Sequence, residues 1–387
     1  MNPIFPVSDL TPQQRIDRLA AVRARLRALI DCLPADGWLG PVAAHLNPPL
    51  WEYGHIVWFQ ERWCLRAQPD GTLAPSLLHR ADDCYDSSAV PHDSRWGLPL
   101  LSCSEVDDYA AQVSAAIAAR LQRECDNALA YYAELSALHE LMHIEAWWMA
   151  FQNLGYTLPS APPAIALPAQ ATRMHFAACN VALGADSNAG FIFDNEKWRH
   201  NVHVPAFDID AAPVSETQFA AFVDARGYQQ RALWSEAGWH WRAQHAAVHP
   251  LYWRTHGNGW QVRHFTHWHS LAADTAMLHV NRFEAEACAT WLGRRLPSAA
   301  EWQQATTRAG FAWGHAWEWT RDAFAPYPGF TPDPYQDYSQ PWFHSHSELR
   351  GGCPLTDATI KRIGFRNFYL PERRDPFTGF RTVGVCR

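Results

Sequence analysis

Two histidines one helical turn apart carry the plainest chemical signal in this chain. They are His139 and His143, within Leu138-His139-Glu140-Leu141-Met142-His143-Ile144-Glu145. On a helix, positions i and i+4 lie on one face, so the pair can present two imidazole nitrogens to a single metal ion. Leu135, Met142 and Ala146 share or border that face, which turns the histidines toward a helical core. A core tolerates imidazole nitrogens poorly unless something satisfies them; a metal would do so. A further imidazole, His55, falls on a stripe with Trp51, Trp58, Phe59 and Arg62, again an inward aromatic face.

The same stretch reads as H-E-x-x-H, the zinc-peptidase signature in which the glutamate is the general base. It reads equally as two solvated or hydrogen-bonded histidines on an ordinary helix. A lone histidine such as His55 is more often a satisfied core residue than a ligand. The spacing alone leaves these readings open.

The elements that must position the three histidines are helices. Thr11 can cap a segment to about Cys32, with Leu19, Val22, Leu26 and Ile30 at helical spacing. Asn47-Pro48-Pro49 opens a second helix to about Leu65, with proline tolerated in its first turn. A third covers about Ser104 to Cys125, and a fourth, about Asn127 to Leu154, carries His139 and His143. Bundles build metal sites from inward side chains on facing helices, so His55 and the pair can meet. The connection from about Ala67 to Leu101 is long and rich in aromatic and apolar residues, which predicts an ordered loop that covers something. Within it Arg95 is a candidate for a substrate carboxylate, or for a plain surface ion pair.

A Pro/Ala-rich connector, Pro159-Ser160-Ala161-Pro162-Pro163 continuing to about Ala171, marks a boundary. Beyond it come short β-like runs, turns and Trp clusters. His203 to Ile209 predicts a strand, Ser215 caps a short helix through Val223, and Arg282 to Leu292 reads as a helix closed by Gly293. Ser298 caps another short helix through Glu301 and Trp302. The expected class is α+β: a helical domain over 1–158, a linker over 159–172, and an irregular domain over 173–387.

Composition excludes several classes. A formal net charge of −7 gives no basic footprint for nucleic acid. No apolar run is long enough to span a bilayer, and Met1-Asn2-Pro3-Ile4-Phe5-Pro6 lacks the regions of a signal peptide. Nine cysteines without any C-x-x-C suit reduced thiols. The expected setting is cytoplasmic, with small-molecule partners. Twenty tryptophans beside 20 histidines point to aromatic-lined clefts or to a Trp-rich core.

The second domain resembles the formylglycine-generating-enzyme-like fold, related to C-type lectins. The resemblance runs from Gly184 to Arg381 through Phe193-Asp194-Asn195-Glu196, Pro213-Val214-Ser215, Gly293 to Trp302, Ala316-Trp317-Glu318-Trp319-Thr320, Leu349-Arg350-Gly351-Gly352 and Gly379-Phe380-Arg381. The first domain resembles the DinB-like four-helix bundle. The pairing is similar to the non-heme iron sulfoxide synthases of ergothioneine biosynthesis and to selenoneine synthases. That resemblance implies one Fe(II) held by His55, His139 and His143, with Glu145 completing the H-x-x-x-H-x-E motif and O2 as co-substrate. Three neutral donors leave positions open on such an ion for substrates. It also implies Tyr335, in Tyr335-Gln336-Asp337-Tyr338, as the proton donor, and Tyr338, Asn367 and Phe368 as residues around histidine betaine (hercynine). The second domain would close over the metal.

The departures bear on the donor. Synthases using γ-glutamylcysteine carry R-x-x-R before L-P-L and an aspartate two residues after the pocket asparagine. Here those positions read His92-Asp93-Ser94-Arg95 and Asn367-Phe368-Tyr369, and Met142 replaces a common glutamine. By contrast Asp86 to Val90, Ser94-Arg95-Trp96 and Tyr338 to Phe343 resemble the selenoneine-synthase branch. The expectation is therefore coupling of a 1-seleno sugar to the imidazole C2 of hercynine, with His92, Arg95, Trp96 and Tyr369 on the donor side. A thiol-using sulfoxide synthase, a zinc-dependent DinB-type thiol transferase and a non-catalytic binding module are the alternatives. The active cysteine of a formylglycine-generating enzyme has no counterpart in Ile363 to Tyr369, and Cys353 is expected to pack as a small buried side chain.

Overall fold

The structure is a computed structural model that describes residues 6–160, 165–168 and 172–384. The N-terminal Met1–Phe5 and much of the Pro/Ala-rich connector lie outside the described residues. The chain divides into two compact units, Met1–Ser160 with Ser187–Ile192, and Ala161–Asp186 with Phe193–Arg387.

The first unit contains α1 (Pro12–Ile30), α2 (Pro49–Glu61), the short α3 (Ala81–Tyr85), α4 (Cys103–Arg123) and α5 (Asn127–Leu154). Capping sets these boundaries. Thr11 and Gln14 exchange side-chain and backbone hydrogen bonds at the start of α1, and Ser102 with Glu105 does the same for α4. Asp126 accepts from the Leu129 amide to open α5, and Gly155, with φ +69°, closes it. α1 packs on α4 and α5, and α2 packs on the same two helices. Leu26, Ile56, Val57, Val106, Val113 and Leu138 form part of the buried interior. α2 ends earlier than its sequence periodicity predicts, because the chain widens at Arg62–Arg66 into a single π-helical turn.

The second unit is built of short strands. Ala316–Ala323 lies between Ser347–Gly352, antiparallel, and Thr378–Gly379, parallel. Asn367–Tyr369 adds an edge, pairing Phe368 with Glu348. A second four-stranded sheet, a two-stranded ribbon and the meander Trp253–Ser270 complete it. The strand expected over His203 to Ile209 is two strands, His200–Val204 and Phe207–Asp210. Pro205 stands in the break, without an amide to give to a ladder. Ser215, Asn281 and Ser298 each cap a helix through a capping box.

Two buried carboxylates in this unit are held by arginines. Glu348 accepts from Arg366 at 2.6 Å and from Arg350 at 2.8 Å, and Arg381 holds both oxygens of Glu318. Trp241 and Trp253 are core residues, and Cys353 is fully buried. Among the described residues, no helix is long and apolar enough to cross a membrane.

Candidate functional site

α2 presents His55 and α5 presents His139 and His143, and their ligand atoms all lie within 4.8 Å of one another. Nε2 of His143 is 3.2 Å from Nε2 of His139. Two cis nitrogen donors at about 2.1 Å from one ion lie about 3 Å apart, so the pair is already at metal-ligating spacing. The outer nitrogens of His55 and His143 are engaged as metal-binding imidazoles require. His55 Nδ1 meets the Tyr85 carbonyl at 2.7 Å, and His143 Nδ1 meets Glu52 Oε1 at 2.5 Å. A proton on each Nδ1 leaves Nε2 with its lone pair. The donor set therefore fits a divalent transition metal.

Burial supports the same protonation state. His55 is 3% exposed, and burial, reinforced by His143, pushes its pKa down to about 3. Burial and then the neighbouring His143 and His55 pull His139 well below the usual imidazole value. Both imidazoles are neutral at physiological pH. The rings are also held flat: Trp51 stacks on His55 at 4.9 Å and Phe59 on His139 at 3.6 Å. His143, Met142 and Ala146 are half-buried, so the accessible edge of the cluster lies on their side. Glu145 is buried.

Sequence reasoning missed Glu52 and Tyr85. Glu52 is three residues before His55 and resembles an ordinary acid in a helix's first turn. Tyr85 lies in the long connection after α2, which is ordered as predicted. Trp51 donates to the Cys84 carbonyl and Trp58 to Asp82, each at 2.7 Å, while Arg66 grips Asp82 through two bonds of 2.8 Å. Gly54 permits the contact: a Cβ there would sit 2.2 Å from the Tyr85 ring.

The same connection carries the donor-side candidates. Among the described residues, Arg95 makes no surface ion pair. Its guanidinium lies 3.9 Å from the Trp51 ring centre, donates to Asn47 Oδ1 at 2.7 Å, and reaches the Val90 and Ser87 carbonyls at 3.3 and 3.4 Å. Arg95, Trp51 and His55 therefore form one stack. His92 Nε2 is 2.7 Å from the Leu46 carbonyl, with its ring 5.3 Å from Trp96, whose indole donates to Leu39 O at 3.0 Å.

In the second unit, Tyr338 lies 6.1 Å from Tyr335 and 6.0 Å from Phe368 between ring centres, and it stacks on Phe193 at 4.2 Å. Burial, reinforced by Glu196 and Asp194, holds the Tyr338 phenol well above its usual pKa. Asn367 accepts from the Phe368 amide at 2.8 Å, and Phe368 stacks on Phe324 at 4.1 Å. Tyr369 lies under the Arg373 guanidinium at 5.4 Å. Thus the structure joins the three histidines in one unit and the Tyr335, Tyr338 and Phe368 aromatics in the other.

Residues 18–154 match the DinB superfamily, and residues 169–314 and 311–385 match the family described as sulfatase-modifying factor enzyme 1-like domain. A hercynine oxygenase of Mycolicibacterium thermoresistibile is 32% identical over 396 residues, covering 87% of each chain. Another, from Mycobacterium tuberculosis, is 32% identical over 430 residues, covering 96% of this chain and 98% of that one. The formylglycine-generating enzyme of Thermomonospora curvata is 31% identical over 160 residues, covering 34% of this chain and 49% of its own.

Proposed function

We propose, since this chain belongs to the hercynine oxygenase family of ergothioneine-type sulfoxide synthases, that it couples a 1-seleno sugar to the imidazole C2 of hercynine. Membership makes it an oxygen-dependent oxidoreductase-type enzyme of an iron-using family acting on small molecules. The coupling removes the C2 hydrogen and the selenol hydrogen and forms the C–Se bond. One oxygen of O2 stays on selenium as the selenoxide and the other leaves as water, which balances the four electrons. Elimination of the sugar part and reduction would then give selenoneine.

In this reading His55, His139 and His143 hold Fe(II), which when bound supplies the oxygen chemistry. Glu52 and the Tyr85 carbonyl keep two of the imidazoles aimed. Tyr335 gives the proton. Tyr338, Asn367 and Phe368 receive the betaine, whose trimethylammonium suits an aromatic face, and Met142 lies beside His143 on the metal helix. The donor meets His92, Arg95, Trp96 and Tyr369.

The donor assignment rests on how those positions are occupied. His92 and Tyr369 carry no fixed charge where an arginine and an aspartate serve γ-glutamylcysteine users, and Arg95 is already committed to Trp51, Asn47 and loop carbonyls. A donor with a carboxylate and an ammonium would lack paired anchors there, whereas a neutral sugar needs none. The deciding measurement is product mass spectrometry with Fe(II), O2 and hercynine, offering a 1-seleno sugar and γ-glutamylcysteine in competition. The expected result is a higher kcat/KM for the seleno sugar. A clear preference for γ-glutamylcysteine would return the chain to sulfoxide synthesis.

A further inference from the structure

The connection between strands Ala316–Ala323 and Ser347–Gly352 is long, carries only two 3-10 turns, Gln336–Tyr338 and Gln340–Trp342, and contains Tyr335 and Tyr338. Segments of this length need a fastening if they are to hold a side chain still. Here one short stretch, 193–197, provides it at three points. Phe193 stacks on Tyr338. Asp194 Oδ1 accepts from the Ser339 hydroxyl at 2.5 Å, and that hydroxyl accepts from Asn195 Nδ2 at 3.1 Å. Lys197 Nζ grips both oxygens of Asp333 at 2.6 and 2.8 Å. Tyr335 lies between the Asp333 and Ser339 fastenings. Ser339 is fully buried, and Asp194 and Asn195 are 2% and 1% exposed.

We infer that Asp194 and Ser339 are positioning residues that fix the Tyr335–Tyr338 segment in the conformation used for turnover. The inference rests on the function proposed above only for Tyr335's part in turnover. Among the described residues, the Ser339 hydroxyl bonds to the 194–195 pair and to no other side chain. Asp194 is an unusual anchor, because its Oδ2 is buried without a hydrogen-bond partner among the described residues. The charged and titratable groups around it are Asp333 and Lys197, with Glu196 and Tyr338 beyond. Burial, reinforced by Asp333, pushes the Asp194 carboxyl up to about 6 against the pull of Ser339 and Lys197.

The sign follows from linkage. A carboxyl with a raised pKa in the fastened state favours fastening most when protonated. That contribution is complete below the ordinary carboxyl pKa of about 4 and is lost as pH rises through about 6. The segment is therefore held more loosely at neutral pH than at pH 5, and a neutral residue at 194 removes the dependence.

The test is amide hydrogen exchange of residues 335–343 in the full chain from pH 5 to 8, corrected for intrinsic chemistry, beside turnover. In the native chain protection should fall by about tenfold or more across pH 6. Asp194→Asn should flatten that step. Ser339→Ala should raise exchange in 335–343 at every pH without altering the helical unit. Its kcat should fall toward that of Tyr335→Phe, itself reduced by ~10²–10⁴-fold if a general acid is lost, and its KM for hercynine should rise with it, since Tyr338 is loosened together with Tyr335. Ser339→Thr, which keeps the hydroxyl, should restore part of the protection. Native protection that does not change with pH, or a step surviving in Asp194→Asn, would overturn the role of Asp194. Unchanged exchange in Ser339→Ala would overturn that of Ser339. A chain that turns over none of the offered substrates would refute the proposed function while the exchange data still judge the fastening.

Discussion

Glu52 governs what His143 can be. A carboxylate at 2.5 Å from Nδ1 sets the tautomer, aims Nε2 and makes the imidazole a stronger donor. Glu52→Gln keeps a hydrogen-bonding oxygen but no charge, and should weaken metal binding by ~10-fold. Glu52→Ala should weaken it toward ~100-fold, the usual span for such partners. Competition titration with a chelating dye would read both, and equal affinity in all three proteins would remove Glu52 from the metal centre. At this scale the cluster of three histidines was legible and its supports were not. His139 and His143 announce themselves by spacing on one helix. Glu52 acts across two helices, 91 positions from His143, and local periodicity carries no trace of such a contact. Arg95 is a further case: its charge gave no sign of the Trp51 plane it packs on or of the loop carbonyls its donors reach.

Elements with their own signals were read from sequence more accurately than those fixed by neighbours. α5 begins and ends where predicted, because Asp126 and Gly155 are local start and stop chemistry. The end of α2 was not, since the π turn depends on what the helix packs against, and the split in the strand was missed although Pro205 is itself a local signal. One tight place in the helical unit is where α3 meets α2. Gly54→Ala puts a methyl group into the Tyr85 ring, and overpacking of this kind costs about 1–3 kcal/mol. Because the Tyr85 carbonyl holds His55, the same substitution should also weaken metal binding. Thermal unfolding and metal titration on one protein would test this. Lower stability with unchanged metal affinity would mean that His55 keeps its aim without Tyr85.

At the scale of the molecule, an ion held by the three histidines would couple its own binding to folding. Three imidazoles brought together are a cost that an ion offsets, and a ligand bound only to the folded state stabilises it by about 2.7 kcal/mol at a hundred times its Kd. Adding Fe(II) anaerobically to the stripped protein should therefore raise its unfolding temperature, and a chelator should reverse the rise. His55→Ala should show neither response; an identical rise in that variant would place the stabilising ion elsewhere. The family could be read from the sequence because its motifs recur in order along both units. The donor was harder to read, because it depends on a few polar positions whose partners become apparent only in three dimensions.

The connection between α2 and α4 serves two masters. Through Tyr85 it steadies His55, and a few residues later it carries His92, Arg95 and Trp96, the residues proposed to meet the donor. A chimera that imports this segment from a relative to change donor choice would therefore import a new grip on His55 as well. Natural lineages face the same restriction: drift in the second half of the segment is free only while Cys84 and Tyr85 keep their hold on α2. Donor preference is thus expected to shift by point replacements after residue 90 more readily than by exchange of the segment as a whole.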